Sequence, residues 1–369
     1  MSQSNGQGIT YTAKDSSRLP YVQNWTFGFQ YQLPARTVVE VNYVGNKGTR
    51  LLSYGFDSMN QVPLSELSRG NSLQDPWTAA SGVPQPYPGF SGTVLQALRP
   101  YPQFTGIGQA FPTLGTSLYN SLQIQATRHL YQGLSILAAY TFSKAINMAG
   151  DNALDSEGIA DVNNRRLDRV ISSFNYPQYL KLTWIYELPF GPDKALNIRG
   201  IGGKIIGGWS LTGNHFARSG NPLGIGVNVA SNPITVARPD QILGVPVIAN
   251  PDAGVSFRGF TGGEVYLNRA AFADPPVSPG GRNIVTRLGT TGPLLPNVRG
   301  PMRHGHDLAV VKAHKFGEHV SWELRGVFTN FMNHPLRNDP VTALSSPFFG
   351  QITGKGGARN VELSTRITF

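Results

Sequence analysis

The last eleven residues, Arg359-Asn-Val-Glu-Leu-Ser-Thr-Arg-Ile-Thr-Phe369, alternate in character at every step. Val361, Leu363, Thr365, Ile367 and Phe369 fall on one face of an extended strand, and Asn360, Glu362, Ser364, Arg366 and Thr368 fall on the other. A period of two sets one face against an apolar medium and the other against water or a polar interior. An amphipathic edge strand of a soluble sheet satisfies that pattern too. A soluble domain more often ends in a polar, frayed tail, whereas this strand stops on an aromatic residue.

The same alternation recurs along the chain. Trp25, Phe27, Phe29, Tyr31 and Leu33 line one face of a strand opposite Thr26, Gly28, Gln30 and Gln32. Val39, Val41 and Tyr43 line the return strand after a turn at 34–36. Leu122, Ile124 and Ala126 precede a turn at 131–133, and Leu134, Ile136, Ala138, Tyr140 and Phe142 follow it. Leu182, Trp184, Tyr186 and Leu188 make a fifth strand, and Trp209 with Leu211 opens a sixth that runs to about Ser219. Leu308 and Val310 precede a turn at 315–318, from which Val320, Trp322, Leu324, Gly326 and Phe328 return. With the closing segment this predicts nine long strands.

Segments of about ten residues suit tilted strands that cross a bilayer. Short joints at 34–36, 131–133 and 315–318, with a somewhat longer one at 190–207, alternate with long ones at 47–117, 147–176, 221–305 and 332–358. Short turns on one side and long loops on the other mark an all-β, transmembrane antiparallel β-barrel of the bacterial outer membrane. A sandwich would not segregate its connections in this way, and no blade repeat of a propeller is present. Bacterial single-chain barrels normally carry an even strand number. Nine strands, and a polar start that is no secretory signal, predict that residues 1–369 are the C-terminal part of a larger barrel, with plug and N-terminal domains absent. The joints 47–117 and 221–305, rich in Pro, Gly and Asn, are expected outside the cell and are where ligand contact is expected. Leu64 to Leu73 is the best helix candidate within them.

Composition agrees. Charged residues are 14% of the chain, against about 25% in ordinary soluble domains. There are 43 Gly, 14 Tyr and 19 Phe, which suits lipid-facing strands joined by irregular loops. No apolar run is long enough for a transmembrane helix. The absence of cysteine excludes disulfides, thiol nucleophiles and thiolate-held metal. The net charge is +10, but the basic residues are scattered, so nucleic acid is not an expected partner. Arg165, Arg166 and Arg169, near Asp161 and Asp168, read as a loop charge cluster.

Several stretches, in order along nearly the whole chain, resemble one family. They include Tyr21-Val-Gln-Asn-Trp-Thr-Phe, Val41-Asn-Tyr-Val-Gly-Asn-Lys-Gly-Thr-Arg-Leu51 and Leu98-Arg-Pro-Tyr-Pro-Gln-Phe104. Tyr119-Asn-Ser-Leu-Gln-Ile-Gln, Leu137-Ala-Ala-Tyr-Thr-Phe-Ser-Lys-Ala-Ile146 and Tyr186-Glu-Leu-Pro-Phe-Gly191 follow. Leu267-Asn-Arg-Ala-Ala-Phe272, Arg299-Gly-Pro301, Phe331-Met-Asn-His-Pro335 and Phe349-Gly-Gln-Ile-Thr-Gly354 complete the set. The chain resembles TonB-dependent-receptor-like proteins of the Oar type, abundant in Acidobacteria. The resemblance implies a carboxypeptidase-regulatory-like domain and a plug ahead of the barrel, coupling to TonB, and a terminal aromatic, here Phe369, read by the barrel assembly machinery. No TonB-contacting segment is present in these residues, so transport is implied by the resemblance alone.

No catalytic constellation is found, and no enzyme activity or cofactor is expected. For His304-Gly-His306-Asp307, candidate metal ligands, the resemblance implies the start of a strand, with Asp307 as a regular member. Asp151, Asp155, Glu157 and Asp161 lack the spacing of a calcium loop. Gly200-Ile-Gly-Gly203 lacks the full phosphate-loop pattern and a following helix, and reads as a turn. Trp25, Tyr43, Trp184, Trp209 and Trp322 are candidates for the aromatic girdle at the headgroup level, with outer-membrane lipid as partner. Packing inside a loop-filled barrel is the competing account of the same rings. Two functions follow: a receptor or transporter barrel taking substrate through its loops and plug, or a surface adhesion or scaffold protein on the same barrel. A soluble all-β binding protein is a third.

Overall fold

The computed structural model describes residues 6–14, 16, 18–53, 59–148, 159–192, 194–227, 229, 235–254, 262–317 and 319–369. Among them nine long strands form one wall: β1 (Tyr21–Leu33), β2 (Thr37–Leu51), β3 (Gly115–Tyr131), β4 (Leu134–Met148), β5 (Gln178–Glu187), β6 (Trp209–Arg218), β7 (Arg303–Phe316), β8 (Val320–Thr329) and β9 (Asn360–Thr368). Each pairs antiparallel with its neighbours in the chain, from β1 at one edge to β9 at the other. A short strand, Arg169–Ile171, adds to the end of β4. Among the described residues β1 and β9 do not pair with each other, so the sheet is open. Among the described residues no helix is long and apolar enough to cross a membrane.

Register carries the alternation across the whole wall. Phe27 lies opposite Tyr43, Tyr43 opposite Leu122, and Leu122 opposite Phe142. Further along, Ile136, Trp184 and Gly213 are in register, as are Leu211, Val310, Gly326 and Leu363. Directly opposed residues share a face, so one face is mainly apolar, with His215, His306 and Lys312 as polar interruptions. The other carries Gln30, Glu40 and Gln125 in one row, and Glu323 with Arg366 in another. Phe27, Phe29, Phe142 and Leu363 are exposed on the apolar face. Among the described residues no second layer covers them, and an exposed apolar surface of that extent is suited to hydrocarbon.

The turns follow from local chemistry. Gln132 and Gly133 join β3 to β4 with φ of 51° and 80°, the left-handed pair that lets a two-residue hairpin match strand twist. At 34–36, Ala35 and Arg36 take φ of 59° and 56°. Arg36 helps hold that conformation, with its carbonyl accepting from His129 N at 3.1 Å.

Several strands outrun their sequence signal. The stretch Lys47–Leu51 falls in the expected loop 47–117, yet it is the end of β2 and pairs with Gly115–Leu118 of β3. Asn, Gly and Lys alternate no hydrophobicity there because neither face meets hydrocarbon. The long connections are therefore 52–114, 149–177, 219–302 and 330–359. Leu64–Gln74 is helical, as Leu64 to Leu73 predicted, but of the tighter 3-10 kind and broken at Gly70. The 200–203 turn is corrected: Gly200–Ile206 is a short helix, held by tertiary contacts that glycine-rich sequence does not announce.

Candidate functional site: the packed rim of long loops

The interior of this protein lies in its loops. Val62, Leu67 and Leu73 from 52–114 form one core with Val285 from 219–302. Leu223, Leu267, Phe272 and Leu295 from 219–302 form another with Leu344, Phe349 and Ile352 from 330–359. A third, around Val83, Phe90 and Val94, stiffens 52–114 itself. Glu264–Val265 pairs with Gln351–Ile352, and Gln7–Tyr11 pairs in parallel with Phe104–Gln109. The loops expected to be irregular are thus a built body on one rim.

Ala160 is the knot that brings in 149–177. Its carbonyl accepts from Gln61 Nε2 at 3.1 Å and from Thr235 Oγ1 at 2.6 Å. Its N–H donates to both oxygens of Asp168 at 3.3 Å. Asp168 and Arg238 form a buried ion pair, their side chains 5% and 6% exposed. Arg238 also donates to Leu167 O at 3.0 Å. Burial pushes the Asp168 carboxyl above its usual range, against the pull of Arg238 and of the Ala160 N–H. Within the expected loop charge cluster Asp168 thus pairs with distant Arg238, at the point where three loops meet. Asp151, Asp155 and Glu157 lie outside the described residues, while Asp161 caps its own turn through Asn163 N at 2.8 Å.

A second clamp is more exposed. Arg287 donates to both oxygens of Asp240 at 2.8 and 2.6 Å, and Thr290 N donates to the same carboxylate at 3.1 Å. The Arg287 hydrogen bonds hold Asp240 below its ordinary range. A depressed carboxylate contributes stability that is present above its unfolded value, near 3.9, and lost as pH falls through its folded value. Amide protection at Thr290 is expected to stay constant down to about pH 5 and fall below about pH 4. Arg287→Gln should weaken that dependence, leaving the part due to the Thr290 N–H, at a cost of about 1 kcal/mol or less because Arg287 is half exposed. Hydrogen exchange across pH checks both.

An open cavity of about 330 Å³ lies between 149–177 and 219–302 where they meet the end of β4. Lys144, Ile146, Arg169, Val170 and Leu294 are among its lining residues.

The sequence-selected aromatics sit on the apolar face at different levels. Trp209 and Trp322 lie near the short-turn ends of β6 and β8. Trp209 Nε1 donates to Ile205 O at 3.1 Å, and Trp322 Nε1 donates to Thr365 Oγ1 at 2.9 Å. Trp184 is inside β5 and donates to His215 Nε2 at 3.0 Å. Tyr43 is mid-strand, with its hydroxyl on Asn120 Oδ1 at 2.8 Å. Trp25 lies nine residues along from Leu33 counting both, close to the length that crosses a bilayer. Trp25 and Trp184 lie flat over glycines. A Cβ at Gly45 would stand 2.1 Å from the Trp25 ring, and one at Gly213 would stand 2.3 Å from Trp184. Aromatic cover of a cross-strand glycine pins register. Gly213→Val should displace Trp184 and cost about 1–3 kcal/mol as overpacking, read as a lower heat-dissociation temperature and a red-shifted tryptophan emission.

His306 Nδ1 meets His215 Nδ1 at 3.2 Å, and Asp307 accepts from Asn330 N at 2.9 Å. Among the described residues no three His, Asp or Glu groups are placed to hold a metal ion. Phe369 follows β9, whose last residue, Thr368, pairs with Ser321; its ring is 92% exposed.

No curated protein matches the chain. Among solved structures it is similar to the outer membrane transporter YddB from Escherichia coli, with 9% identity and a TM-score of 0.41 over 99% of this chain and 34% of that one. It is also similar to the ferripyoverdine receptor of the outer membrane of Pseudomonas aeruginosa bound to ferripyoverdine, with 11% identity and a TM-score of 0.39 over 97% of this chain and 29% of that one. The chain spans about a third of the length of these proteins. A family model described as an outer membrane beta barrel domain matches residues 1–362. With one apolar face, one polar face and all its long loops on one rim, the chain belongs to that outer membrane β-barrel family, and its place is the bacterial outer membrane.

Proposed function

We propose that the chain is the receptor wall of an outer-membrane transporter of the TonB-dependent, Oar-like kind, with its loop body outside the cell and its short turns in the periplasm. The observation that carries this reading is the loop body itself. Four connections are locked together by shared cores and by the Ala160 knot, which is more ordering than a passive pore rim needs and what a preformed recognition surface requires. The open edges β1 and β9 favour completion by further strands of a larger barrel, with a plug in the polar interior. Edge strands of this length are otherwise a hazard for aggregation.

Deleting the gene should abolish growth on the substrate, and deleting tonB should abolish the same growth. A deletion strain that loses surface attachment but keeps every uptake phenotype would instead select the adhesion or scaffold reading. Protease added to intact cells should cut within 52–114 or 219–302. Protection there, with cutting at 34–36, would invert the orientation.

A further inference from the structure

The connection between β5 and β6 differs from the other short-turn joints. It holds the helix Gly200–Ile206, on which Ile201, Ile205 and Ile206 are 80%, 65% and 46% exposed. Leu196, just before it, is 53% exposed. Such a cluster in water is costly. Arg199 and Lys204 are exposed beside these side chains. Lys194 is occupied by Glu187 at 2.6 Å. The segment 189–208 contains three cations against one acid, Asp193.

What fixes the helix in place comes from the apolar face of the wall. Lys312 follows Leu308 and Val310 on the apolar face, directly opposite Trp209. Its Nζ donates to Lys204 O at 2.7 Å and Ile205 O at 3.0 Å, and also to Gly207 O. A cation on the last carbonyls of a helix neutralises their partial charge. Trp209 Nε1 binds Ile205 O from the same face. Two residues of the lipid-facing row therefore hold the helix C-terminus against the outward side of the rim. Gly203 lets the helix fold tightly back on the segment before it, since a Cβ there would stand 2.0 Å from Ile198 O.

We propose that this helix is a membrane-surface anchor, seated on the phospholipid leaflet at the short-turn rim, with its isoleucines below the headgroups and Arg199 and Lys204 on anionic phosphates. Its apolar side chains continue the lipid-facing surface of the wall, and its cations match an anionic interface. Seven residues would bind a bilayer weakly if free. Here the sheet presents them ready-formed, so little ordering entropy opposes contact. The proposal rests on the reading of the apolar face as lipid-facing.

Because the chain has no cysteine, single cysteines can be labelled at will. Ile201→Cys, Ile205→Cys, Leu122→Cys and Leu243→Cys would each carry an environment-sensitive fluorophore on the full chain, in phosphatidylcholine vesicles with or without phosphatidylglycerol. Leu243, 90% exposed on the loop side, reports water, and Leu122 reports the wall. Labels at 201 and 205 should be quenched by iodide about threefold less than the label at 243, as expected of interfacial burial. Lipids brominated near the glycerol should quench them best, and deep-brominated lipids should quench the label at 122 best. Phosphatidylglycerol should strengthen the shallow quenching, and Arg199→Gln with Lys204→Gln should remove that gain. Lys312→Met should return the label at 205 towards water.

Iodide quenching at 201 and 205 equal to that at 243, with 122 still in lipid, would overturn the proposal. Shielding from iodide without bromolipid quenching would also overturn it, in favour of a protein covering the helix. No lipid quenching at 122 would defeat the lipid-facing reading of the wall, and the anchor with it.

Discussion

Arg238→Ala should release the three loops joined at Ala160 from one another while leaving the nine-stranded wall intact. Removing one partner of a buried ion pair strands the other charge, at a cost of about 3–5 kcal/mol. Here that charge is Asp168, whose carboxyl burial already pushes upward. The sign of the pH dependence follows. A carboxyl with its folded value raised contributes most below its unfolded value, near 3.9, and loses that contribution as pH rises through the folded value. Without Arg238 the folded value should climb further, so the variant's deficit should be large at neutral pH and shrink on acidification. Amide exchange at Ala160 and Val162 reads it directly, since those N–H groups bind Asp168 and Gln61. Asp168→Leu with Arg238→Met should recover much of the loss, as apolar replacements of buried pairs often do. Unchanged exchange at both amides in Arg238→Ala would show that the pair does not hold the loops.

The wall was legible because its signal is local. Trp25 to Leu33 or Leu134 to Phe142 alternates within a single segment, and a period of two needs no knowledge of the partner strand. Strand ends were not legible where the medium changes. Asn46 to Leu51 is strand, yet its polar and glycine residues satisfy water on both faces, so alternation stops before pairing does. The nine strands and their order matched expectation; the tops of the strands did not.

The loop body was hidden for the opposite reason. Leu67 meets Val285 in one core, and Leu267 meets Ile352 in another. No periodicity within either loop encodes those pairings. Asp168 and Arg238 are 70 positions apart, and in sequence Asp168 sits among arginines it does not use. The helix Gly200–Ile206 shows the same limit on a smaller scale. Its glycines argue against helix, and the compensating cation, Lys312, arrives from another strand. The sequence carries one signal of it: Lys312, after Leu308 and Val310 on one face of β7, requires a polar partner at that level.

Deleting Phe369 should sharply lower the yield of assembled, heat-modifiable barrel while leaving the stability of what does assemble nearly unchanged. The ring is 92% exposed and lies beyond the last paired residue of β9. It makes none of the contacts that cost about 3–5 kcal/mol when a core phenylalanine is truncated. If its role were packing, deletion would therefore be almost silent. We propose instead that the terminal aromatic is read by the assembly machinery, which acts on rate before the sheet is complete. The two roles separate cleanly in one experiment: pulse-labelled cells would show slow or failed assembly, and purified survivors would melt where the unaltered protein melts. Phe369→Trp should restore assembly, because an aromatic terminus is retained, and Phe369→Ala should not. Normal assembly kinetics after deletion would leave the terminal ring with no function but its place in the lipid-facing row with Leu363 and Ile367.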